Sequence, residues 1–424
     1  MSNEWDFVES EVNRCLNCVS KPCQKACPLG NDMPEVIKLM KANEFQKAFE
    51  LLCDTTVLPS VCGRICPHEK QCQSSCTRKY QGNTIETGRI EAFLGDMALD
   101  YQWSIPYISD ELLGKNVAVV GSGPSSLTCA AYLARRGAYV VIYEKHPKLG
   151  GLLRYGIPDF RLDKKLLYVI IENILDIGIN SIQGVELGFD ITLDDLKEEY
   201  DAIFLGIGAN VSKKMNIPGE ELNGVLGAND FLEYGEDVDF MGKDVFVSGG
   251  GNVAIDTART VKRLGANSVT IVYRRSEEDM PAELKEIEEA KKEGIQFAFH
   301  ANMIAIHGDE DGNVKKIECI KTKYEDDASV KGRNRKLVNI ENTNFKYWAD
   351  YVFMAVGSKP EEELLEELGL ELTDKGNIAI NENYQTSDEK VFAGGDIVGE
   401  KATIAWAARS GRNAAEKMKE WLLR

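Results

Sequence analysis

The sequence predicts an α/β protein in which two parallel-sheet domains, one of them split in sequence, follow an α-helical, cysteine-rich domain. Three observations predict it. A strand–glycine turn–helix–strand pattern spans 114–145 and recurs over 243–276. Nine of the 11 cysteines crowd between Cys15 and Cys76. The 424 residues, 43% hydrophobic and 28% charged, suffice for two or three domains with separate cores.

Composition excludes several classes. A net charge of -18 argues against non-specific nucleic-acid binding and against a polybasic membrane anchor. Apolar runs such as "VAVV" and "AYVVIY" have strand length and are too short to cross a bilayer. The opening "MSNEWDFVES" is acidic and lacks the apolar core of a secretory signal. A cytoplasmic location is therefore expected, where structural disulfides are rare and dense cysteines point to metal.

The cysteine spacing narrows the metal. Cys15, Cys18, Cys23 and Cys27 read C-x2-C-x4-C-x3-C-P, close to the bacterial ferredoxin run C-x2-C-x2-C-x3-C-P. Cys62, Cys66, Cys72 and Cys76 follow, with a second Cys-Pro at Cys66-Pro67. Zinc sites built from four cysteines usually pair two C-x2-C knuckles, and the second group contains none. The spacing favours iron–sulfur clusters over structural zinc.

Near residue 114 the character changes. A buried strand over Val117–Val120 turns at Gly121-Ser-Gly123 and enters a helix from about Ser125 to Arg136. Pro124 and Ser125 open that helix, and a second strand, Tyr139–Tyr143, ends at Glu144. Gly121 permits the tight turn, and Gly123 lets a pyrophosphate approach the backbone. The helix N-terminus offers unpaired N–H groups to the phosphates. Glu144 stands about 20 residues beyond the turn, where an acid binds a ribose hydroxyl. Ser126 occupies the place of a usual third glycine, and its small size should preserve helix–strand packing. This is a Rossmann-like unit.

The second unit has a strand at Val245–Ser248, then Gly249, Gly251 and Ala254 as G-x-G-x-x-A. A helix opened by Asn252 and a strand at Val269–Tyr273 complete it. It ends in Arg274-Arg275 rather than an acid. Arginines suit a 2′-phosphate through charge-assisted, often bidentate, hydrogen bonds. The first unit is thus expected to take the adenosine of FAD, and the second that of NADPH in preference to NADH.

Other segments complete the reading. Gly150-Gly151, in "KLGGLLRYGIPDFRL", are paired glycines away from a helix and suggest backbone packed against something flat or bulky. "DAIFLGIGAN" and "DYVFMAVGSKP" are strand-then-glycine segments that mark crossings between the nucleotide domains. In "VFAGGDIVGEKATIAWAARSGRNAAEKM", Gly395 and Asp396 end a strand and Thr403 starts a helix. Asp396 is a candidate for the flavin's ribityl or phosphate region, and the helix aims its positive end at the flavin. The polar stretch 307–344, with "KKIECIKTK", reads as antiparallel strands and loops. Outside the N-terminal region only Cys129 and Cys319 remain, so no C-x-x-C disulfide can receive electrons there, and they are expected to leave through the clusters. The four histidines are dispersed, and no catalytic acid or base is assigned.

The stretches "RCLNCVSKPCQKACP", "CGRICPHEKQC", "GGLLRYGIPDFRL", "GGGNVAIDTAR" and "VYRRSEEDMPAELKE" resemble the small (beta) subunit family of NADPH-dependent glutamate synthase. The family also takes in the reductase module of dihydropyrimidine dehydrogenase and the large subunit of bifurcating ferredoxin–NADP oxidoreductase. The resemblance implies FAD, an NAD(P)H site and two [4Fe-4S] clusters. It assigns Cys15, Cys18, Cys23 and Cys76 to one cluster, and Cys27, Cys66 and Cys72 to the other. Glu91, in "GRIEAF", is the implied fourth ligand of the second cluster, with Cys62 the rival. The implied partner is a separate catalytic subunit, glutamate synthase being the commonest case, or a ferredoxin. A self-sufficient NADPH–ferredoxin oxidoreductase is the alternative, and a redox-sensing scaffold the least favoured reading. The expected division is 1–112 for the helical iron–sulfur domain, 113–222 with 353–424 for the FAD domain, and 223–352 for the NADPH domain.

Overall fold

The computed structural model describes residues 2–235, 238–325 and 335–424. Part of the polar stretch expected to form strands and loops, 326–334, lies outside the described residues. The chain divides into two compact units. One comprises residues 1–154, 159–209 and 360–424, and the other 155–158 and 210–359.

In the first unit the cysteine-rich segment is helical. Asp32 caps the helix Met33–Lys41 by accepting from the Glu35 amide at 3.3 Å. Val36, Ile37 and Met40 give that helix one buried face. Both Cys-Pro pairs end helices. Cys27 closes Pro22–Ala26 with ψ 126°, and Cys66 closes Pro59–Ile65 with ψ 142°. A residue before proline is pushed out of the helical region, so each helix stops on a cysteine. Pro59–Ile65 crosses Thr87–Asp100 through small residues. A Cβ on Gly63 would fall 2.4 Å from the Ala92 nitrogen and the Gly88 carbonyl oxygen. That close approach places Glu91 beside the cysteines of the shorter helix.

The same unit holds a five-stranded, all-parallel sheet. Its order is Val391–Ala393, Ala202–Leu205, Asn116–Val120, Tyr139–Glu144 and Ile179–Gln183. Strands Asn116–Val120 and Ala202–Leu205 are almost entirely buried, as sheets covered on both faces require. The nucleotide helix Pro124–Ala134 packs along Ile404–Leu422. Gly411 lets them meet, since its Cβ would lie 2.0 Å from the Ser125 carbonyl oxygen. Gly411→Ala is therefore expected to cost about 3 kcal/mol, the upper end of overpacking penalties. A melting temperature equal to that of the parent protein would refute this contact.

Two arginines, the buried Arg135 and the half-buried Arg412, tie the cysteine-rich segment to this framework. Arg135 donates to the Pro106 carbonyl at 2.6 Å and to the Cys53 carbonyl, which also accepts from the Tyr132 hydroxyl at 3.0 Å. Arg412 donates to the carbonyls of Leu29 and Thr55 at 2.8 and 2.9 Å.

The second unit carries its own parallel sheet, ordered Val225–Gly227, Tyr351–Met354, Asp244–Ser248, Ser268–Tyr273 and Gln296–Phe299. The antiparallel strands Ala301–Gly308, Val314–Tyr324, Leu337–Asn339 and Phe345–Trp348 follow. The crossings fall at 209/210 and 359/360, so this unit exceeds the expected 223–352 span. The reason is a two-residue ladder: Val211 and Ser212 pair with Lys359 and Ser358 and hold both crossing segments in the second unit.

Candidate functional site

The first glycine turn has the geometry that the sequence suggested. Gly121 sits at φ +88°, and a Cβ there would meet the Gly206 carbonyl oxygen at 2.7 Å. Only glycine fits both demands. Gly123, by contrast, has nothing within 4 Å of its Cβ position, so the space above the turn is open. The helix Pro124–Ala134 begins there without a side-chain cap, leaving its first N–H groups for a ligand. Ser126 packs against the neighbouring strand end, its hydroxyl 3.3 Å from the Gly206 carbonyl oxygen. A Cβ on Gly206 would fall 2.1 Å from that hydroxyl, so a glycine on the adjacent strand makes room for the serine.

Glu144 is buried at the end of its strand. It accepts from the Ser122 hydroxyl and, at 2.8 Å, from the His146 amide. Ser122 in turn accepts from the Gly150 amide at 2.8 Å. Gly150 and Gly151 have φ +131° and +48°, and a Cβ on Gly151 would lie 2.9 Å from the Gly123 Cα. Gly151 thus packs on the backbone of the phosphate turn, while a Cβ on Gly150 would meet the side chains of Arg154 and Ile171 at 3.1 and 3.3 Å, and a short helix, Leu152–Tyr155, follows at once.

Among the buried polar atoms of this unit that lack a partner are the hydroxyls of Ser125, Thr128 and Thr403, and Asp396 Oδ1. Buried polar atoms are normally paired, so these orphaned atoms fit a polar ligand such as a flavin nucleotide. Gly395, at φ +82°, would bring a Cβ 3.0 Å from the Ser125 Cβ, which puts the strand end carrying Asp396 against the helix start. Thr403 is the N-cap of Ile404–Leu422. Burial lifts the Asp396 carboxyl to about 6, with the Glu400 charge adding to the rise. An unfolded chain releases this proton near about pH 4, so ionisation costs the fold stability at higher pH. Flavin-free protein should therefore gain stability as pH falls from about 7 to about 4, and Asp396→Asn should flatten that slope by on the order of 2 kcal/mol. Melting curves across the interval test this; an unchanged slope in the variant refutes it.

The second turn repeats the first. Gly249 has φ +150° with a Cβ position 2.2 Å from the Ala355 carbonyl oxygen, while Gly251 is open but for Pro281 at 3.9 Å. The helix Asn252–Arg263 is likewise uncapped by a side chain. Asn252 is engaged with Glu283, accepting from its amide at 3.0 Å and donating to its carboxylate at 3.3 Å. Arg274 is exposed at the end of its strand, and its side chain forms no ion pair among the described residues. Arg275 is half-buried beside it, with Nη1 donating to the Arg335 carbonyl at 2.9 Å.

The cysteines fall into two sets. Cys15, Cys18, Cys23 and Cys76 line one cavity with Leu16 and Arg78. Cys15 lies within electrostatic reach of Cys18 and Cys76, and Cys23 within reach of Cys15 and Cys76. Cys27, Cys66, Cys72 and Glu91 form the other set. Glu91 bears on all three thiols, and Cys27 on Cys66 and Cys72. Cys62 stands next to Cys66 in this set. Glu91 is buried, and its one hydrogen bond, from the Asn31 amide at 2.9 Å, leaves the rest of the carboxyl free for the thiols. Burial raises Glu91 to about 8, Cys27 to about 11 and Cys72 to about 12. Burial thus keeps these groups protonated in the absence of metal; thiols and a carboxyl gathered this closely fit a site where a metal displaces their protons and supplies the positive charge that balances the resulting anions. Among the described residues no three His, Cys, Asp or Glu side chains converge closely enough for a single ion. Cys53, Cys129 and Cys319 are buried apart from these sets, as expected of packing residues.

Sequence reasoning missed several supports. Ser122 lies inside the first glycine turn and could have been found there. Asn31 accepts from the Thr55 hydroxyl at 2.7 Å while donating to Glu91, a link across 60 positions with no local signal. Thr77 and Thr87, 3.3 and 3.1 Å from the sulfurs of Cys18 and Cys72, were equally hidden.

Comparison with known proteins places this architecture. Residues 115–411 match the pyridine nucleotide-disulphide oxidoreductase family, and residues 3–103 match dihydropyrimidine dehydrogenase domain II, 4Fe-4S cluster. The glutamate synthase [NADPH] small chain of Escherichia coli is 36% identical over 98% of this chain and 91% of its own length. The NADPH-Fe(3+) oxidoreductase subunit beta of Geobacter sulfurreducens is 34% identical over 97% of this chain, which spans 65% of that protein. FprA of Mycobacterium tuberculosis, solved in complex with NADPH, shares the fold with a TM-score of 0.63 at 22% identity, covering 72% of this chain and 84% of its own. Among the described residues no helix is long and apolar enough to cross a membrane. The two matched families and the small-chain relatives, with which the uncapped glycine turns and gathered thiols agree, show an NADPH-dependent FAD and iron–sulfur oxidoreductase, and the chain belongs to the glutamate synthase small-chain family.

Proposed function

We propose that this chain is the reductase subunit of a glutamate synthase-type enzyme, taking electrons from NADPH and passing them singly to a separate catalytic subunit. The observation that carries the reading is the gathering of two cysteine sets in the same compact unit as the first glycine turn. The functional division proposed is 1–112 for two [4Fe-4S] clusters, 113–222 with 353–424 for FAD, and 223–352 for NADPH. When bound, NADPH supplies a hydride, FAD accepts it as an electron pair, and the clusters carry single electrons.

The chain's own residues bind and orient these groups. Gly121, Gly123, Pro124 and Ser125 present the helix N-terminus to the flavin nucleotide's phosphates. Glu144 keeps acceptor capacity beyond its two internal hydrogen bonds, enough for a ribose hydroxyl. Gly150 and Gly151 brace the turn, and Gly395, Asp396 and Thr403 face the remaining polar parts. In the second unit Gly249, Gly251 and Asn252 form the phosphate turn, and Arg274-Arg275 take the 2′-phosphate. Cys15, Cys18, Cys23 and Cys76 hold one cluster. Cys27, Cys66, Cys72 and Glu91 hold the other.

The exposure of the two cysteine sets supports an exit at the first. Arg412, from the helix that begins at Thr403, donates to Leu29 and Thr55 beside the second set, whose Cys66 and Cys72 are buried. The first set is bordered by Leu16 and Val19, 46% and 99% exposed, as a contact for a partner protein requires. Thiols kept reduced for cluster ligation also support a cytoplasmic location.

Anaerobic purification under native conditions, with mass spectrometry of co-eluting chains, tests the reading. A stoichiometric large chain is expected. Elution alone, with FAD and iron retained, would overturn the separate-subunit reading and make a small soluble carrier the acceptor.

A further inference from the structure

The arginine pair of the second unit is gripped along its backbone by the antiparallel sheet. The Thr322 hydroxyl donates to the Arg274 carbonyl at 2.6 Å. The His300 amide donates to the Arg275 carbonyl at 3.2 Å. The Ser276 amide donates to the Tyr324 hydroxyl at 3.2 Å. Three consecutive residues are thus anchored, Arg274 and Ser276 by the strand Val314–Tyr324, which is not part of the parallel sheet, and Arg275 by His300 in the turn that enters Ala301–Gly308.

Side chains extend the grip. The Arg275 guanidinium lies 5.8 Å from the Tyr324 ring centroid, and that of Arg335 lies 3.5 Å from it. The Tyr324 hydroxyl donates to Asp279, which also accepts from Arg335 at 2.9 Å. Asp279 is buried and leads back to the glycine turn, since its carbonyl accepts from the Tyr273 hydroxyl at 2.8 Å. A Cβ on Gly250 would meet the Tyr273 ring at 2.5 Å. His300, at φ +51°, joins the two sheets and accepts from the Thr322 amide at 2.9 Å.

We propose that the antiparallel sheet of the second unit is a selectivity clamp, in which Thr322 and Tyr324 position Arg274 and Arg275 for the 2′-phosphate of NADPH. The inference rests on the reading of the arginine pair as a phosphate site. Arginine's fork gives selectivity only when its geometry is fixed. An exposed pair on a free strand end would sample many rotamers and lose that advantage to side-chain entropy. The clamp fixes the backbone of both arginines and sets an aromatic face beneath Arg275. Neither Thr322 nor Tyr324 need touch the nucleotide, so both are positioning residues.

Calorimetry on the purified holoprotein with 2′,5′-ADP and 5′-AMP tests the clamp, because the two probes differ in the 2′-phosphate alone. In a Thr322→Val, Tyr324→Phe double variant, 2′,5′-ADP affinity should fall about five- to tenfold, as loss of an orienting hydrogen bond predicts, with 5′-AMP affinity within about twofold. Tyr324→Phe alone retains the ring and is judged by the same ratio should the double variant not fold. An unchanged ratio of the two affinities, or a parallel loss of both, would overturn the clamp. The Arg274→Ala, Arg275→Ala variant separates this from the underlying reading. If it loses 2′,5′-ADP while the clamp variants do not, only the clamp fails. If it too binds both probes as the parent does, the phosphate site itself is wrong.

Discussion

Cys76→Ala should lower the iron content from about eight atoms per chain to about four, while Cys53→Ala leaves it at about eight. Zinc should be absent from both proteins. Cys76 is the decisive position because it lies far along the chain from Cys15, Cys18 and Cys23, yet lines the same cavity. Without its thiolate the first set keeps three ligands, and the cluster loses the bond that closes it. Cys53 is as deeply buried as any ligand but belongs to neither set, so it controls for damage to the fold. NADPH should still bleach the flavin absorbance of the Cys76 variant, because the first glycine turn and the orphaned polar atoms around it are untouched. Delivery to an external one-electron acceptor should fall by about two orders of magnitude. Equal iron in the two variants, or tightly bound zinc in the parent protein, would end the iron–sulfur assignment of this set. The same assay on Glu91→Ala and Cys62→Ala decides the second set: loss of about four irons identifies the ligand, and retention identifies the packing residue.

How much of this was legible in the sequence depends on the distance over which each feature is built. The glycine turns were legible because strand, turn and helix lie within about thirty residues and the turn imposes φ > 0 on Gly121 and Gly249. The strand Val391–Ala393 and its Gly-Gly-Asp end were legible for the same reason. The cysteine run announced metal, but spacing alone did not say that Cys76 returns to the first three cysteines. That pairing came from family resemblance, and its physical basis is the packing of short turns around a shared cavity. The Gly63–Ala92 crossing that brings Glu91 to Cys66 has no periodic signature, since it depends on what two separate helices lack. The compact unit begins at 210, ahead of the proposed domain edge at 223, and the two-residue ladder between Val211–Ser212 and Ser358–Lys359 that holds its ends is too short to leave a pattern. The alternation in "KKIECIKTK" correctly implied a strand. It could not show that the same strand's far end, at Thr322 and Tyr324, reaches Arg274 and Ser276 some 48 positions away.

Arg274→Ala combined with Arg275→Ala should weaken NADPH binding by at least about a hundredfold and leave NADH within about threefold. A hydrogen bond to a charged group is worth about 1.5–3 kcal/mol, and two such groups acting on one phosphate reach that magnitude together. Two features make substitution by a neighbour ineffective. The chain carries a net charge of -18, so the background field repels a dianionic phosphate. Among the described residues a neighbouring arginine, Arg335, is already committed to Asp279. On the proposed reading the pair serves the phosphate that distinguishes the two nucleotides, so the shared parts of NADH should bind as before to the turn at Gly249 and Gly251. Salt should reveal the same asymmetry, with NADPH affinity of the parent protein falling as ionic strength rises and NADH affinity staying nearly flat. Rates of flavin bleaching under anaerobic conditions with each nucleotide give the comparison directly, and the parent protein should favour NADPH by a wide margin. A parallel loss for both nucleotides would mean that the pair holds the strand end together and reads no phosphate. In that case selectivity would have to be sought at the glycine turn instead, where Asn252 and Glu283 hold one another.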